Sequence, residues 1–424
     1  MSSSAPSAPS STDRDAPTLA RLPLGIALFT FVVLGLSYIT NAADRQVFPV
    51  LLPAIRTEYG FSLGEGGLLS TIFTLGIGLA GVPGAYLLNR FSRRAVIVGG
   101  IVIYSGFTAL TAVSVGFADM FAYRALSGVG EAIQNAALFA AVGAYFFKRR
   151  ALAIGSLNFC YGVGAFLGPR LGAQFAAGSG WRTPFYVYAI AGFVIAAIIL
   201  VVVSKRFTEQ VEPLGDVRPE VAANVPEKVY NRNVVVLMVV AAIAGVSLYG
   251  YLGLYPTYLQ TELGFTVVEA GKAAGMFGLG ALMGIPAGLL GDRFDQRWIL
   301  MGSLVAASIV GYVLFHGPTT PGWQSLLSFL TGATGSGLLF TNTYSAMQRA
   351  VRPEKVGQVS GAFVTSWYLP SALAGYLFAL LQNNLGWGGA SLVQLSLVPL
   401  IGVVALLFLD TSRFTTAKVS SGHH

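Results

Sequence analysis

The chain has 424 residues, of which 54% are hydrophobic and only 10% charged. That is too little charge to cover a soluble surface, and apolar runs near 20 residues recur along the chain, so lipid is the expected solvent for most of it. A single cysteine, Cys160, excludes an internal disulfide and a cysteine-built zinc or iron–sulfur centre, and His423 and His424, after a Ser-Ser-Gly stretch, read as a tag remnant that leaves His316 as the one native-looking histidine. No metal site and no cofactor is expected, and no set of nucleophile, base and orienting group or nucleotide loop points to an enzyme.

Residues 1–20, rich in Ser, Ala and Pro, predict a disordered tail, and no cleavable signal peptide is visible. A hydrocarbon core about 30 Å thick needs about 20 residues of apolar helix. Such segments fall at 22–46, 67–88, 95–116, 118–146, 151–177 and 183–203, and again at 234–258, 270–290, 298–317, 322–346, 356–382 and 391–409. Between the two sets lies one long polar connection, residues 204–233, with Pro213, Pro219 and Pro226 among ten charged residues; it predicts a linker. The organisation expected is therefore an N-terminal six-helix bundle over 21–203, a linker over 204–233, a C-terminal bundle over 234–410 and a tail over 411–424.

The net charge of +8 has a cause other than nucleic acid. With the N-terminus set inside, the inner segments collect Arg14, Arg21, Arg90, Arg93, Arg94, the run Lys148 to Arg150, the linker cations, Arg293, Arg297, Arg349, Arg352, Lys355, Arg413 and Lys418, whereas the outer loops hold Arg56, Arg182 and Lys272. That asymmetry predicts both termini in the cytoplasm. No nucleic-acid partner is expected; the bilayer, a small anionic substrate and a monomeric state are.

The two sets of six repeat one another. Residues 81–94 read GVPGAYLLNRFSRR and residues 284–297 read GIPAGLLGDRFDQR; at a shift of 203, Gly81, Pro83, Leu87, Arg90, Phe91 and Arg94 meet identical residues. A weaker echo joins Gly60-Phe61-Ser62 to Gly264-Phe265-Thr266, one residue out of register. Duplicated halves are a mark of transporters built from two parallel repeats.

On these residues the chain resembles the major facilitator superfamily, whose loop between helices two and three reads G-x-L-x-D-R-x-G-R-R/K. The C-terminal copy keeps Gly288, Leu290, Asp292, Arg293 and Arg297, while the N-terminal copy keeps Leu87, Arg90, Arg93 and Arg94 but has Ala85, Asn89 and Ser92 where the family has Gly, Asp and Gly. The resemblance implies an all-α membrane protein of twelve transmembrane helices in two pseudo-symmetric bundles, with Asn89, Arg90, Arg94, Asp292, Arg293 and Arg297 at a cytoplasmic gate. The pair Asp44-Arg45 and the stretch Arg124-Ala-Leu-Ser-Gly-Val-Gly-Glu131 look like the organic anion symporters of the D-galactonate and sialin type, and are also similar to spinster-type lipid transporters. In the former, the two acidic positions, here Asp44 and Glu131, carry protons. Gly155, Gly164, Gly168-Pro169 and Gly172 reproduce a fifth-helix pattern known in the superfamily's drug/proton antiporters.

Asp44, Arg45, Arg124, Glu131 and Arg170 are ionisable residues inside apolar segments. A charge at the bilayer centre costs at least about 2.5–3.5 kcal/mol, so these side chains must face the bundle interior and find partners. From their places in the apolar runs, Asp44, Arg45, Arg124 and Arg170 are expected in the outer half of the membrane, with Glu131 two turns from Arg124 and near the midplane. An arginine can grip a carboxylate through its fork. Burial favours a protonated acid and a neighbouring arginine an ionised one, so a substrate that occupies the arginine leaves the acid to take a proton. Arg45 and Arg124 are therefore candidate anion ligands. Asn135, Asn158, Tyr251, Tyr255 and Tyr368 are candidates for the polar groups of the substrate, with Tyr251, Tyr255 and Tyr258 on one helix face. The function expected is proton-coupled symport of a carboxylate or sugar acid across a bacterial inner membrane, with export of lysolipid or hydrophobic compounds as the rival.

Overall fold

The computed structural model describes residues 21–210 and 225–414. The predicted tail over 1–20, residues 415–424 of the predicted tail over 411–424, and residues 211–224 of the linker lie outside the described residues. Nine helical spans are long and apolar enough to cross a membrane among the described residues. One of these, Val356–Leu406, is interrupted at Gly386 (φ 71°, ψ 177°) and makes two crossings, and two further crossings are built from shorter pieces. The twelve are α1 (Leu24–Tyr59), α2 (Leu63–Thr71, Phe73–Leu79 and Gly81–Arg90), α3 (Arg93–Ala112), α4 (Phe117–Tyr145), α5 (Arg150–Ser179) and α6 (Thr183–Val202). They continue as α7 (Arg232–Thr261), α8 (Val267–Ala281 and Gly284–Arg293), α9 (Gln296–His316) and α10 (Pro321–Thr331, the π-helical Gly332–Phe340, and Thr341–Arg349). The last two are α11, from Val356 to the break at Gly386, and α12, which runs through π-helical Leu392–Leu397 to Leu406.

The repeat seen in the letters is also a repeat in geometry. Ser62 caps α2 and Thr266 caps α8, each accepting from the amide of a glutamate three residues on, Glu65 and Glu269, which bonds back. This reciprocal box satisfies two amide groups that a helix start otherwise leaves free. Gly60 and Gly264, two residues ahead of each cap, both sit at φ 69°, where a Cβ is disfavoured. Both second helices break before the shared motif, at Ala80 and at Met283, and the motif then forms Gly81–Arg90 and Gly284–Arg293.

One helix departs from expectation. The first apolar segment was expected to end at residue 46, but α1 runs to Tyr59 through Pro49 and Pro53. Prolines are tolerated inside a membrane helix that neighbouring helices surround, and α7 lies against this stretch, with Gln260 Nε2 donating to the Val50 carbonyl at 3.0 Å, next to the Pro49 carbonyl that Pro53 leaves without its helical donor. Asp44 and Arg45 consequently lie just past the middle of α1 rather than late in it.

The two bundles pack backbone to backbone near the α1–α2 and α7–α8 turns, and their contact reaches the middle of the membrane, where a Cβ on Gly78 of α2 would lie 3.2 Å from the Leu369 nitrogen of α11. A Cβ on Gly67 of α2 would stand 2.3 Å from the Gly375 carbonyl oxygen of α11, and one on Gly375 would stand 2.1 Å from that of Gly67. Beside them Thr71 Oγ1 donates to the Ala372 carbonyl at 2.9 Å and accepts from the Gly375 amide at 3.3 Å. A Cβ on Gly278 of α8 would lie 2.2 Å from the Phe166 nitrogen of α5. Toward the other end, nothing stands within 4 Å of the Cβ position of Gly357 on α11 or of Gly155, which shares the face of Gly162 on α5. The tightest packing of the halves is thus at the end that holds the α1–α2 and α7–α8 turns, and the glycines nearest the arginine-rich end have no such contact.

Candidate transport site

The site is assembled by α1 and α4 crossing at their middles. Glu131 is at the midpoint of α4, and Arg45 Nε donates to its Oε2 at 2.8 Å. Arg45 Nη2 donates to Asn41 Oδ1 at 3.3 Å, Asn41 Nδ2 to Gln134 Oε1 at 2.8 Å, and Gln134 Nε2 to Ser37 Oγ at 3.1 Å. A polar ladder thus runs down the α1–α4 seam, and it points Arg45 at the place where the two bundles face each other. Asp44, the next residue along the chain, turns the other way and accepts from Thr108 Oγ1 of α3 at 2.6 Å.

All four charges are withdrawn from solvent: Asp44, Arg124 and Glu131 at 0% exposure and Arg45 at 3%. Their pairing is incomplete. Among the described residues, Asp44 Oδ1, Glu131 Oε1 and all three Arg124 nitrogens have no hydrogen-bond partner. Arg124 instead lies over the rings of Phe48 and Phe73, at 4.8 and 5.4 Å. The set sums to zero charge, which is what a low-dielectric wall tolerates, but it contains hydrogen-bonding capacity that the protein itself does not use.

The C-terminal bundle brings hydroxyls and rings to this point. Tyr368 of α11 lies against both Tyr249 of α7 and the Arg45 guanidinium, with the two tyrosine rings 6.0 Å apart. Tyr161 of α5 sits 5.9 Å from the Arg45 guanidinium, and its hydroxyl accepts from Gln46 Nε2 at 3.4 Å. Asn135 is half-buried, with its Oδ1 lacking a partner, and Asn158 is exposed on the face of α5 that also carries Tyr161.

Several expected residues fall elsewhere. Tyr251 and Tyr255 were expected to meet substrate, but both point into the C-terminal bundle: the Tyr251 hydroxyl pairs with Ser328 Oγ at 2.7 Å, and the Tyr255 hydroxyl donates to the Gln324 carbonyl at 3.0 Å. The face they share with Tyr258 is the core face of α7, and Tyr249 is the tyrosine that reaches the site. Arg124 was expected to be as available as Arg45, but it is enclosed within the N-terminal bundle. Arg170 donates to the Lys272 carbonyl and to Met276 Sδ of α8, across the seam between the bundles, and stacks 4.1 Å over Phe166. The gate residues make contacts inside their own bundles. Arg90 donates to the Tyr86 hydroxyl, Arg94 to the Val203 carbonyl, and Asp292 pairs with Arg349, while Asn89 and Arg293 are exposed and Arg297 is half-buried. The fifth-helix glycines pack α5 onto α1: Cβ atoms on Gly164, Gly168 and Gly172 would stand 2.3, 2.5 and 2.2 Å from Ile39 O, Ala43 O and Val47 Cγ2, and the Pro169 carbonyl lies against Gly271 of α8. Thr108, Asn41 and Tyr161 escaped the sequence reading because uncharged residues of these types are common in any membrane helix and only their contacts single them out.

Comparison with known proteins agrees with this architecture. Residues 34–375 match the model of the Major Facilitator Superfamily. The chain is 23% identical over 377 residues, 84% of this chain and 87% of the other, to a hexuronate transporter of Bacillus subtilis. It is 24% identical over 403 residues, 91% of this chain and 94% of the other, to a cis,cis-muconate transport protein of Acinetobacter baylyi. Its fold is similar to a bacterial homolog of the human lysosomal transporter Spinster solved in an inward-facing, unoccupied conformation, with a TM-score of 0.74 at 18% identity over 93% of this chain and 98% of that one. With twelve crossings in two repeated bundles and a family match over most of its length, the chain is a multi-pass membrane transporter, not an enzyme, and belongs to the Major Facilitator Superfamily.

Proposed function

We propose that the protein is a proton-coupled symporter of a small organic anion, working by alternating access, with both termini on the cytoplasmic side of a bacterial inner membrane. One observation carries the reading: Arg45, at the junction of the bundles, is held by Glu131 through a single nitrogen at 2.8 Å, while the other oxygen of that carboxylate has no partner. A substrate carboxylate arriving at Arg45 competes with Glu131 for the guanidinium. Glu131, left without its cation in an apolar wall, then takes a proton. Before binding, Asp44, Arg45, Arg124 and Glu131 sum to zero; with a monoanion bound and one carboxylate protonated they again sum to zero, so one proton per monoanion avoids burying net charge.

Arg124 supplies the second positive charge from inside the wall and keeps Asp44, the other candidate proton carrier, from standing alone. Tyr368, Asn135 and Asn158 are assigned to the polar groups of the cargo, and Asn89, Arg90, Arg94, Asp292, Arg293 and Arg297 to a latch that forms when the arginine-rich end closes. Relatives named for the transport of hexuronate and muconate support an organic acid as cargo. The rival reading of lysolipid or drug export loses one of its supports, since the fifth-helix glycines have a packing role against α1 that does not depend on direction.

The test is Glu131→Gln in proteoliposomes. Accumulation driven by a proton gradient is expected to fall to background, while exchange of labelled anion across the membrane continues. Loss of both activities in a protein that still binds the anion would remove Glu131 from the coupling role.

A further inference from the structure

The Arg45 guanidinium stands among aromatic rings contributed by both bundles. From the N-terminal bundle come Tyr38 and Tyr161, with ring centroids 6.1 Å apart, and from the C-terminal bundle come Tyr249 and Tyr368, 6.0 Å apart. Phe73 closes one side, 5.9 Å from Tyr249 and 5.8 Å from the guanidinium. Tyr161 and Tyr368 keep partial exposure from opposite bundles, so a ligand held by Arg45 meets ring surface on both sides.

The amides that a polyhydroxylated ligand would need are largely taken. Asn41 and Gln134 bond each other and Ser37, and Gln46 donates to the Tyr161 hydroxyl. The Tyr249 and Tyr368 hydroxyls are turned toward one another. Beyond the carboxylate, the several hydroxyls of a sugar acid would have Glu131 Oε1, Asn135 Oδ1 and Asn158 to turn to, fewer partners than the water they leave, a cost that falls on every hydroxyl left over. A flat π-system has the opposite balance, since it offers faces and edges to rings and asks for no further hydrogen bonds.

We infer that this cage of Tyr38, Tyr161, Tyr249, Tyr368 and Phe73 around Arg45 selects a planar, conjugated carboxylate, an aromatic or diene acid, over a saturated polyhydroxylated one. The inference rests on the reading of Arg45 as the anion ligand. Because the cage walls belong to both bundles, a flat cargo also gives the bundles a common surface on which to close.

The experiment measures binding to the purified full-length protein by titration calorimetry with benzoate, its saturated counterpart cyclohexanecarboxylate, and glucuronate. Benzoate is expected to bind about tenfold more tightly than cyclohexanecarboxylate, with glucuronate weakest. Tyr161→Ala and Tyr368→Ala are each expected to remove most of that preference, and Tyr161→Phe and Tyr368→Phe to keep it, because the ring and not the hydroxyl does the selecting. Tighter binding of glucuronate, or an equal loss in the Phe and Ala variants, would overturn the aromatic selection. Arg45→Gln separates the two layers of argument. If glucuronate wins and its binding needs Arg45, the anion site stands and only the selectivity falls; if benzoate binds equally well without Arg45, both fall.

Discussion

At the residue scale the unusual feature is Arg124, a guanidinium fully enclosed with no hydrogen-bond partner among the described residues and two phenylalanine rings against it. Its contribution is charge. Removing one partner of a buried ionic set costs about 3–5 kcal/mol, because the remaining charge is left uncompensated. Arg124→Gln is therefore expected to lower the unfolding midpoint in detergent strongly, leaving Asp44 and Glu131 with Arg45 alone. Adding Asp44→Asn should return much of the loss, with a coupling on the order of 1–3 kcal/mol. Additive effects of the two substitutions would mean that Arg124 and Asp44 do not share a charge balance.

At the scale of elements, α5 decides how α1 presents Arg45. Its glycines allow backbone-to-backbone contact with the α1 turns that carry Asn41 to Val47. Gly164→Val would place a side chain where Ile39 O lies 2.3 Å from the Cβ position, and overpacking of this kind costs about 1–3 kcal/mol. Both the unfolding midpoint and anion affinity are expected to drop, since α1 must shift. Gly155→Ala lies on the same helix with nothing within 4 Å, and should instead gain up to about 1 kcal/mol from helix propensity alone. Equal effects at the two positions would count against a tight α1–α5 seam. Gly155 belongs to the same sequence pattern as the other three, so the pattern by itself does not tell packing glycines from free ones.

At the scale of the whole molecule, the packed end is a joint of small residues that, under the proposed alternating access, must part when the bundles rock. Gly67 and Gly375 touch through their backbones, so Gly375→Val should hold that end open. Spin labels at Thr57 and Asn384, both exposed at that end, are expected to move apart in the variant, while labels at Asn89 and Gln358 move together. Unchanged distances would mean that the α2–α11 contact is not the joint. Orientation is tested on the same positions: in intact cells a cysteine at Asn384 should react with an impermeant reagent and one at Asn89 should not. Labelling of Asn89→Cys from outside would invert the assignment drawn from the arginine asymmetry.

The twelve apolar segments, the duplicated halves and the five unexpected charges were legible in the amino-acid sequence, because hydrophobic length, repetition and the cost of charge in lipid are properties of residues and their spacing. Asp44, Arg45, Arg124 and Glu131 could be singled out on that ground alone. The length of α1 could not, since proline reads as a stop until neighbouring helices are present to surround it. Which way each side chain turns could not either: Tyr249 rather than Tyr251 reaches Arg45, Arg45 rather than Arg124 faces the junction, and adjacent Asp44 and Arg45 look in opposite directions. These choices depend on how the helices rotate as their small residues seat against one another, and that rotation exists only once both bundles are packed.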